Sequence, residues 1–497
     1  MHSAGNLEGS AMSGRIRNVA VGSLIAFLIV AISLTYWSVV ARDDLRARED
    51  NPRRLEDERA IVRGGIFDRN AVVLARSEPT VRLPSGRMAH RRVYPQSSTF
   101  SATGYYSLIY GSSGAEFAFD RALRGAARTD VWAAALGEAL NRPPLGDDLR
   151  LTIDARLQQV ATTAFGERRG AAIVLEVPSG AVWALFSTPL YDPNTLDADW
   201  ERLRNDPAAP LVNRALQGIY QPGGALQAVI YSALLANPAL QPQDFGTAAV
   251  PLRLNNLTLR CALEVGAPID SLQTAFVRGC PPLFAEFAES YPAEVQEKIA
   301  AFGLLGAPLL SGYPVAAARP ATPLGELNAA DERRLAGAGQ ADLTVTPLQM
   351  AVVAGGIANY GNLITPYIAD ALRAPNAERW EPIQRTFLER AATTRESAER
   401  IRAAMREAAL NGSARAANVP NLPPEATLYA HASLAFSGEG QNGWLIGFVE
   451  LPDGRSLAAA VLIEDVQNVH EAARIGGELL AHAARLALAE TPPTQSE

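Results

Sequence analysis

The chain has 497 residues, of which 48% are hydrophobic, a composition typical of two or three folded domains and not of a disordered chain. Its formal net charge is −7 and no dense basic run occurs, so nucleic-acid binding has no electrostatic support and that class is set aside. The chain contains one lysine, Lys298, against 44 arginines. Because arginine stays protonated at working pH, lysine-dependent catalysis is confined to Lys298, whose neighbours are typical of a solvated helix face.

An apolar run at residues 19–40 is long enough to cross a bilayer, and Tyr36 and Trp37 lie towards its far end. A cleaved signal peptide is less favoured, because the run is long and no small-x-small site precedes the charged residues 42–50. The arginines on the two sides do not fix the orientation. The size of the remainder predicts a cytoplasmic tail at 1–18, a single-pass anchor in the cell membrane, and an extracytoplasmic body on a charged linker at 42–63.

Patterned sequence begins at residues 66–75, where Asp-Arg-Asn between two apolar runs predicts strand, turn and strand. A helix is predicted to open at 151–154 and to run through Leu157 and Val160, with Thr152 or Asp154 as its cap. A domain boundary is predicted near residue 148, just after a segment rich in proline and glycine.

The second half of the chain predicts two β-hairpins, at 171–187 and 443–464, each with a turn that contains Pro and Gly. Between them lie a helix at 224–237 that is apolar nearly all round and a capped amphipathic helix that starts at Thr393-Thr394-Arg395-Glu396 and ends at Asn411-Gly412. A final helix is predicted at 471–490. Strands near both ends with helices between them predict an antiparallel sheet packed on helices, which is an α+β domain.

Short motifs follow one another in an order and spacing that is highly specific, although each is weak alone. They are Arg63-Gly64-Gly65-Ile66-Phe67-Asp68-Arg69-Asn70, Gly114-Ala115-Glu116, Leu151-Thr152-Ile153-Asp154, Pro178-Ser179-Gly180, Tyr191-Asp192-Pro193-Asn194, Gly339-Gln340 and Thr346-Pro347-Leu348-Gln349-Met350-Ala351. With these motifs the chain resembles class B penicillin-binding proteins, the membrane-anchored D,D-transpeptidases of bacterial peptidoglycan synthesis, over nearly its full length.

The resemblance implies an organisation and a set of partners. It implies an extended N-terminal dimerisation or pedestal-like domain at 41–148, a transpeptidase-like domain at 149–490 and a disordered tail at 491–497. It also implies a polytopic cell-wall glycosyltransferase, or a protein of the division or elongation machinery, as partner, and a peptidoglycan stem peptide as ligand. No cofactor and no metal are predicted, because no His-x-x-x-His or Cys-x-x-Cys spacing occurs.

The catalytic motifs of that family do not carry over to this sequence. The Ser-x-x-Lys motif falls on Gly224-Ala225-Leu226-Gln227, so the nucleophile position is glycine and the base position is glutamine. The chemistry needs a hydroxyl at a helix start and a lysine one turn later to take its proton. Glycine has no side-chain oxygen, and a glutamine amide accepts no proton near neutral pH.

The second and third motifs are also altered. Ser-x-Asn falls on Gly279-Cys280-Pro281, and Lys-Thr-Gly-Thr falls on His431-Ala432-Ser433-Leu434. Loss of such a set costs on the order of 10⁴- to 10⁶-fold in turnover, so no useful acyl transfer is expected. Backbone N–H groups of Gly224 and Leu434 could still form the remains of an oxyanion hole.

The remaining candidates are residues of the vacated cleft: Gly224, Gln227, His431, Ser433 and Leu434. His431 and Ser433 lie two apart on a predicted strand, so a Ser-His pair is conceivable, but polar residues at a solvated edge are the favoured interpretation. Cys261 and Cys280 could form one bridge in an oxidising compartment, and two unpaired small hydrophobic residues are the alternative.

The leading functional hypothesis is a catalytically inactive pseudo-transpeptidase that scaffolds or regulates cell-wall synthesis. Two alternatives stay open. One is a residual acyl transferase that uses His431 and Ser433, or another serine. The other is a binding module whose cleft senses a peptidoglycan peptide without turnover. A match to the fold of a family does not by itself establish an activity.

Overall fold

The structure is a computed structural model that describes residues 8–37, 52–127, 142–242, 244–263, 268–313, 315, 322–385, 387, 390–438 and 440–490. The chain divides into two units. The smaller consists of Met1–Ile61, Pro79–Arg91 and Leu136–Pro143, and the larger of Val62–Glu78, Arg92–Ala135 and Pro144–Glu497. The predicted tail at 491–497 lies outside the described residues.

Two helices, α1 (Glu8–Thr35) and α2 (Pro52–Ala60), belong to the smaller unit. The stretch Arg17–Thr35 of α1 has a mean hydropathy of 2.2 and buries none of its surface in the protein, so its length and composition fit a single-pass membrane anchor. The anchor was predicted to extend to residue 40. Its last three residues, and residues 42–51 of the predicted linker, lie outside the described part of the chain.

The central element of the larger unit is a five-stranded antiparallel sheet in the order β15-β16-β17-β7-β8. Both predicted hairpins are confirmed, and β17 pairs with β7, so that Ala460 lies opposite Ile173 and the two hairpins form one sheet. The strands are β7 (Gly170–Val177), β8 (Val182–Thr188), β15 (Thr427–Ser437), β16 (Gly440–Glu450) and β17 (Ser456–Ile463).

Helices cover both faces of this sheet, which confirms the predicted α+β class. Side chains alternate along a strand, so Ile173 packs into one hydrophobic core with α13 (Pro347–Ala358), while Val174 packs into the other with α6 (Ala155–Phe165) and α15 (His470–Ala489). Every residue of β8 and β17 is buried, as expected for strands that are covered on both sides.

Local capping sets the starts of two helices. The Asp154 side chain accepts a hydrogen bond from the backbone N–H of Arg156 at 2.9 Å, so α6 begins after residue 154, and the preceding residues belong to β6 (Asp148–Leu151) and the cap. Thr394 accepts from the N–H of Ser397 at 3.2 Å and caps α14 (Arg395–Asn411), which confirms the helix start predicted within residues 393–396.

A second sheet of six strands has the order β13-β12-β6-β1-β2-β3. The predicted strand, turn and strand at 66–75 is confirmed, since Ile66 pairs with Ala75 and the Asp68 carboxylate accepts the N–H groups of Asn70 and Val72 at 2.7 and 2.8 Å. Strand β6 joins β1 in parallel and β12 in antiparallel pairing. This sheet takes strands from both sides of residue 148, and the boundary there stays a prediction.

The remaining helices are short or flank the site. They are α3 (Phe100–Thr103), α4 (Gly114–Ala118), α5 (Asp120–Leu123), α7 (Leu196–Arg204), α8 (Gln227–Ala236), α9 (Leu272–Arg278), α10 (Pro282–Ser290), α11 (Pro292–Ala301) and α12 (Ala330–Gly337). The remaining strands are β1 (Ile66–Phe67), β2 (Val73–Arg82), β3 (Met88–Val93), β4 (Tyr106–Ser107), β5 (Gly111–Ser112), β9 (Leu252–Leu254), β10 (Leu257–Leu259), β11 (Asn362–Leu363), β12 (Ala369–Arg373), β13 (Glu381–Pro382) and β14 (Arg390–Ala391).

Candidate functional site

Gly224 lies in a 3-10 turn, Gly223–Leu226, that leads directly into α8. The turn is fixed from two sides. The N–H of Gly223 donates to the carbonyl of Gly339 at 2.9 Å, and the indole N–H of Trp444 on β16 donates to the carbonyl of Gln221 at 3.1 Å. The turn therefore has a defined position beside the central sheet, and the predicted buried helix at 224–237 is confirmed.

A pocket of about 410 Å³ opens beside this turn, and we call it the Gly224 pocket. It is lined by residues from all three altered motifs, which the chain brings together from widely separated positions. They are Gly224, Gln227, Gly279, Pro281, Ser433 and Leu434. Four of the five predicted cleft residues line the pocket, and His431 does not.

Gln227 opens α8 and has only 2% of its surface exposed. Its amide faces Gly224, because a Cβ atom at position 224 would lie 3.4 Å from its Nε2 atom. The Oε1 atom is buried and has no hydrogen-bond partner. A neutral amide with an unpartnered acceptor therefore stands where the family motif places a base.

Ser433 faces Gly224 from β15. A Cβ atom at position 224 would lie 2.7 Å from the Cβ of Ser433 and 3.4 Å from its Oγ, so the serine occupies the space that a side chain at 224 would need. Ser433 is 2% exposed and its hydroxyl has no hydrogen-bond partner. The expectation that His431 and Ser433 lie at a solvated edge is wrong, because the 3-10 turn and α14 cover β15 although it is the edge strand.

His431 is fully buried behind Gly224 and stacks on Phe276, with ring centroids 4.3 Å apart. Its Nε2 atom lies 3.2 Å from the carbonyl oxygen of Gly224. A carbonyl only accepts, so Nε2 carries the proton and donates. Burial lowers the pKa of His431 to about 4, so the ring is neutral at pH 7 and carries no positive charge towards the pocket.

A Ser-His pair is not formed in the structure. Neither the Oγ of Ser433 nor the Nδ1 of His431 has a hydrogen-bond partner, so the two residues do not contact each other through these atoms. Lys298 offers no replacement base. It lies on α11 with 16% of its side chain exposed, less than the solvated helix face that its neighbours predict, and it does not line the Gly224 pocket.

The residues of the second motif contribute their backbone and a disulfide to the wall of the Gly224 pocket. Gly279 is the left-handed C-cap of α9, with φ of +63°, and Pro281 precedes α10. Between them Cys280 is bonded to Cys261, which lies in the loop after β10 and lines the pocket. The disulfide thus attaches that loop to the pocket wall.

Sequence reasoning missed the polar side chains at the mouth of the pocket. Gln441, Gln467 and Asn468 line it together with Gln340. Gln340 belongs to the Gly339-Gln340 motif, which was the one sequence signal for this group. Its Oε1 accepts the N–H of Phe436 at 3.0 Å. Within the described ranges, no cluster of three or more His, Cys, Asp or Glu could hold a metal ion.

Comparisons with known proteins agree with the resemblance found in the sequence. Residues 170–481 match the family described as penicillin binding protein transpeptidase domain, and residues 63–149 match penicillin binding protein A dimerisation domain. The chain is 34% identical over 385 residues to peptidoglycan D,D-transpeptidase PbpA of Mycolicibacterium smegmatis, covering 73% of this chain and 76% of the relative. It is 44% identical over 100 residues to peptidoglycan D,D-transpeptidase MrdA of Escherichia coli K12, covering 19% of this chain and 16% of the relative.

Solved structures give the same result. Penicillin-binding protein A from M. tuberculosis, as its imipenem acyl-enzyme complex, superposes with a TM-score of 0.74 at 29% identity, over 86% of this chain and 99% of that chain. The D,D-transpeptidase domain of a peptidoglycan glycosyltransferase from Eggerthella lenta superposes with a TM-score of 0.72 at 24% identity, over 86% of this chain and 99% of that chain.

Proposed function

The chain belongs to the penicillin-binding protein transpeptidase family, and from that premise we propose that it is a pseudo-transpeptidase that scaffolds or regulates peptidoglycan synthesis without forming an acyl-enzyme. The observation that carries the proposal is the contact between positions 224 and 433. The hydroxyl of the family motif is absent at Gly224, and the side chain of Ser433 fills its space.

Proton transfer lacks a base as well. Gln227 stands at the lysine position, and the neutral ring of His431 donates to the Gly224 carbonyl from behind the turn. The Ser433 hydroxyl lies beside Gly224, yet none of the described residues accepts its proton. A serine without a general base is a poor nucleophile, which disfavours a relocated acyl transferase.

The fold of the family is retained outside the altered motifs, which supports a role in assembly. The buried ion pairs of Arg63 and Arg92 with Glu116, at 2.9 and 2.5 Å, stabilise the N-terminal part of the larger unit. With α1 as the membrane anchor, we place the body of the chain outside the cell membrane. We further propose that the anchor and residues 41–148 contact a polytopic cell-wall glycosyltransferase or another protein of the division or elongation machinery.

Covalent labelling tests whether the protein has lost the ability to be acylated by a penicillin. The purified full-length protein is incubated with a fluorescent penicillin, beside PbpA of M. smegmatis as the positive control, and examined on a denaturing gel. We expect a band for PbpA and none for this protein. A labelled band that hydroxylamine removes would overturn the proposal and would direct peptide mapping to Ser433 first.

Deletion in cells tests the scaffold role. Cells that lack the gene receive either the full chain or a chain without residues 1–148. We expect only the full chain to restore normal growth and shape, because the proposed contacts lie in the deleted part. Full complementation by the shorter chain, at equal abundance, would contradict the scaffold.

A further inference from the structure

We infer that the Gly224 pocket binds an uncharged amide group, such as the end of a short peptide that terminates in a carboxamide, and discriminates against a carboxylate. This inference rests on the proposed function, because it assigns a ligand to a site that performs no acylation.

Two polar atoms of side chains that line the pocket are buried and without partners. They are Oε1 of Gln227 and Oγ of Ser433, and each belongs to a side chain that is 2% exposed and lines the pocket. An unpartnered buried polar group lowers the stability of a protein, and such groups in a native fold call for an explanation. A ligand that donates N–H to these two oxygens, once the two side chains turn them towards the pocket, supplies the missing bonds.

Other residues of the pocket lining offer the complementary donors. The Oε1 of Gln340 is taken by the N–H of Phe436 at 3.0 Å, and the Oδ1 of Asn468 is taken by the N–H of His470 at 2.9 Å. Their amide NH₂ groups are left to donate. The pocket lining thus offers both acceptors and donors, which are the two kinds of partner that the N–H and C=O of an amide group need.

The charges of the pocket lining disfavour a carboxylate beside the oxygens of Gln227 and Ser433. Among the lining residues that the structure describes, Arg260 is the one cation, and it is exposed at the mouth and already engaged in another interaction. The cation position of the third motif is the neutral His431, which lies behind the turn. A carboxylate beside these two oxygens would therefore be buried without a positive partner, which is costly.

Binding is tested with a matched pair of probes on the full-length protein in detergent micelles. Isothermal titration calorimetry at pH 7 compares N-acetyl-dialanine amide with N-acetyl-dialanine, which bears a free carboxylate, each in L,L and D,D form. We expect the amide to bind at least about tenfold more tightly than the acid. Equal affinity, tighter binding of the acid, or no binding of the amide would overturn the inference.

Two variants locate the contact. Ser433→Ala and Gln227→Met remove one orphaned oxygen each with little change in shape, and each should weaken the amide probe about five- to tenfold while leaving the melting temperature unchanged or higher. Ser437→Ala, on the exposed end of the same strand, and Gln159→Met, on the exposed face of α6, are the controls and should bind as the parent does. Unchanged binding by Ser433→Ala and Gln227→Met, or an equal loss in the controls, would reject the site.

Failure of this inference is distinguishable from failure of the proposed function. The penicillin label reports covalent chemistry and does not depend on the dialanine probes. Absence of both the label and amide binding would leave a pseudo-transpeptidase whose two orphaned oxygens hold only water, which would overturn the ligand assignment alone.

Discussion

Gly224 and Ser433 are coupled, because a Cβ atom at position 224 would approach the Cβ of Ser433 to 2.7 Å. The resemblance puts a serine at the first position and a glycine at the second, so the chain has exchanged the two residue types across one contact. A single reversion at 224 meets a side chain that the family does not place there.

Gly224→Ser alone is expected to lower the free energy of unfolding by about 1–3 kcal/mol, because the new Cβ overlaps the Cβ of Ser433 on a strand that cannot shift freely. The double variant Gly224→Ser/Ser433→Gly should recover most of that loss. Urea denaturation of the two single variants and the double variant measures the coupling. Strict additivity of the three free-energy changes would show that the two positions do not interact.

Protonation of His431 should make the folded state sensitive to acid. Burial lowers the pKa of His431 from 6.5 to about 4, so the unfolded chain binds the proton more tightly than the folded chain. Stability contributed by the neutral ring is present above pH 6.5 and is lost as the pH falls from 6.5 to 4, by up to about 3 kcal/mol. The measurement is the free energy of unfolding at pH 7.5, 6, 5 and 4.

A variant isolates this histidine from the carboxylates that titrate in the same range. His431→Phe keeps the stacking on Phe276 and removes the titration, so its loss of stability between pH 6.5 and 4 should be smaller than that of the parent. His470→Gln, at the start of α15, is the control and should retain the parent's slope. An identical slope in His431→Phe and the parent would contradict the assignment.

Glu116 should be essential to the folded larger unit. Its carboxylate is fully buried between Arg63 and Arg92, so Glu116→Gln removes a counter-charge from Arg92 and leaves Arg63 with Asp120, and it should cost about 3–5 kcal/mol in unfolding free energy. Asp199→Asn, which removes the exposed partner of Arg202 on α7, is the control and should cost less than about 1 kcal/mol. Equal melting temperatures for the two variants would refute the difference.

Local sequence signals predicted much of the fold, and their range explains what they missed. Turn residues and caps act within a few positions, so the hairpin at 171–187 and the capped helix start within residues 393–396 were predicted correctly. The burial of His431 was not, because alternation along a strand does not reveal what covers an edge strand. The contact between Gly224 and Ser433 joins residues more than two hundred positions apart, and only the family resemblance related them.

The same limit applies to the mouth of the pocket. Gln441 lies near the start of β16, Gln467 and Asn468 lie in the connection between β17 and α15, and the fold alone brings them to Gln340. Carboxamide residues in loops are common, so their sequence context gave no reason to group them. The two cysteines were left as bridged or free, since spacing does not determine a pairing.

Removal of the disulfide is the last test, and it is clean because Cys261 and Cys280 are the only cysteines in the sequence. The bridge closes a loop across a sequence separation of 19 residues, so its reduction should lower the unfolding free energy by about 3 kcal/mol. It should also weaken the amide probe, because the loop at Cys261 lines the Gly224 pocket. Calorimetry with and without reductant measures both effects on the parent, and the Cys261→Ser/Cys280→Ser variant should not respond to reductant. If reduction left both the melting temperature and the affinity of the parent unchanged, the bridge would have no part in shaping the pocket.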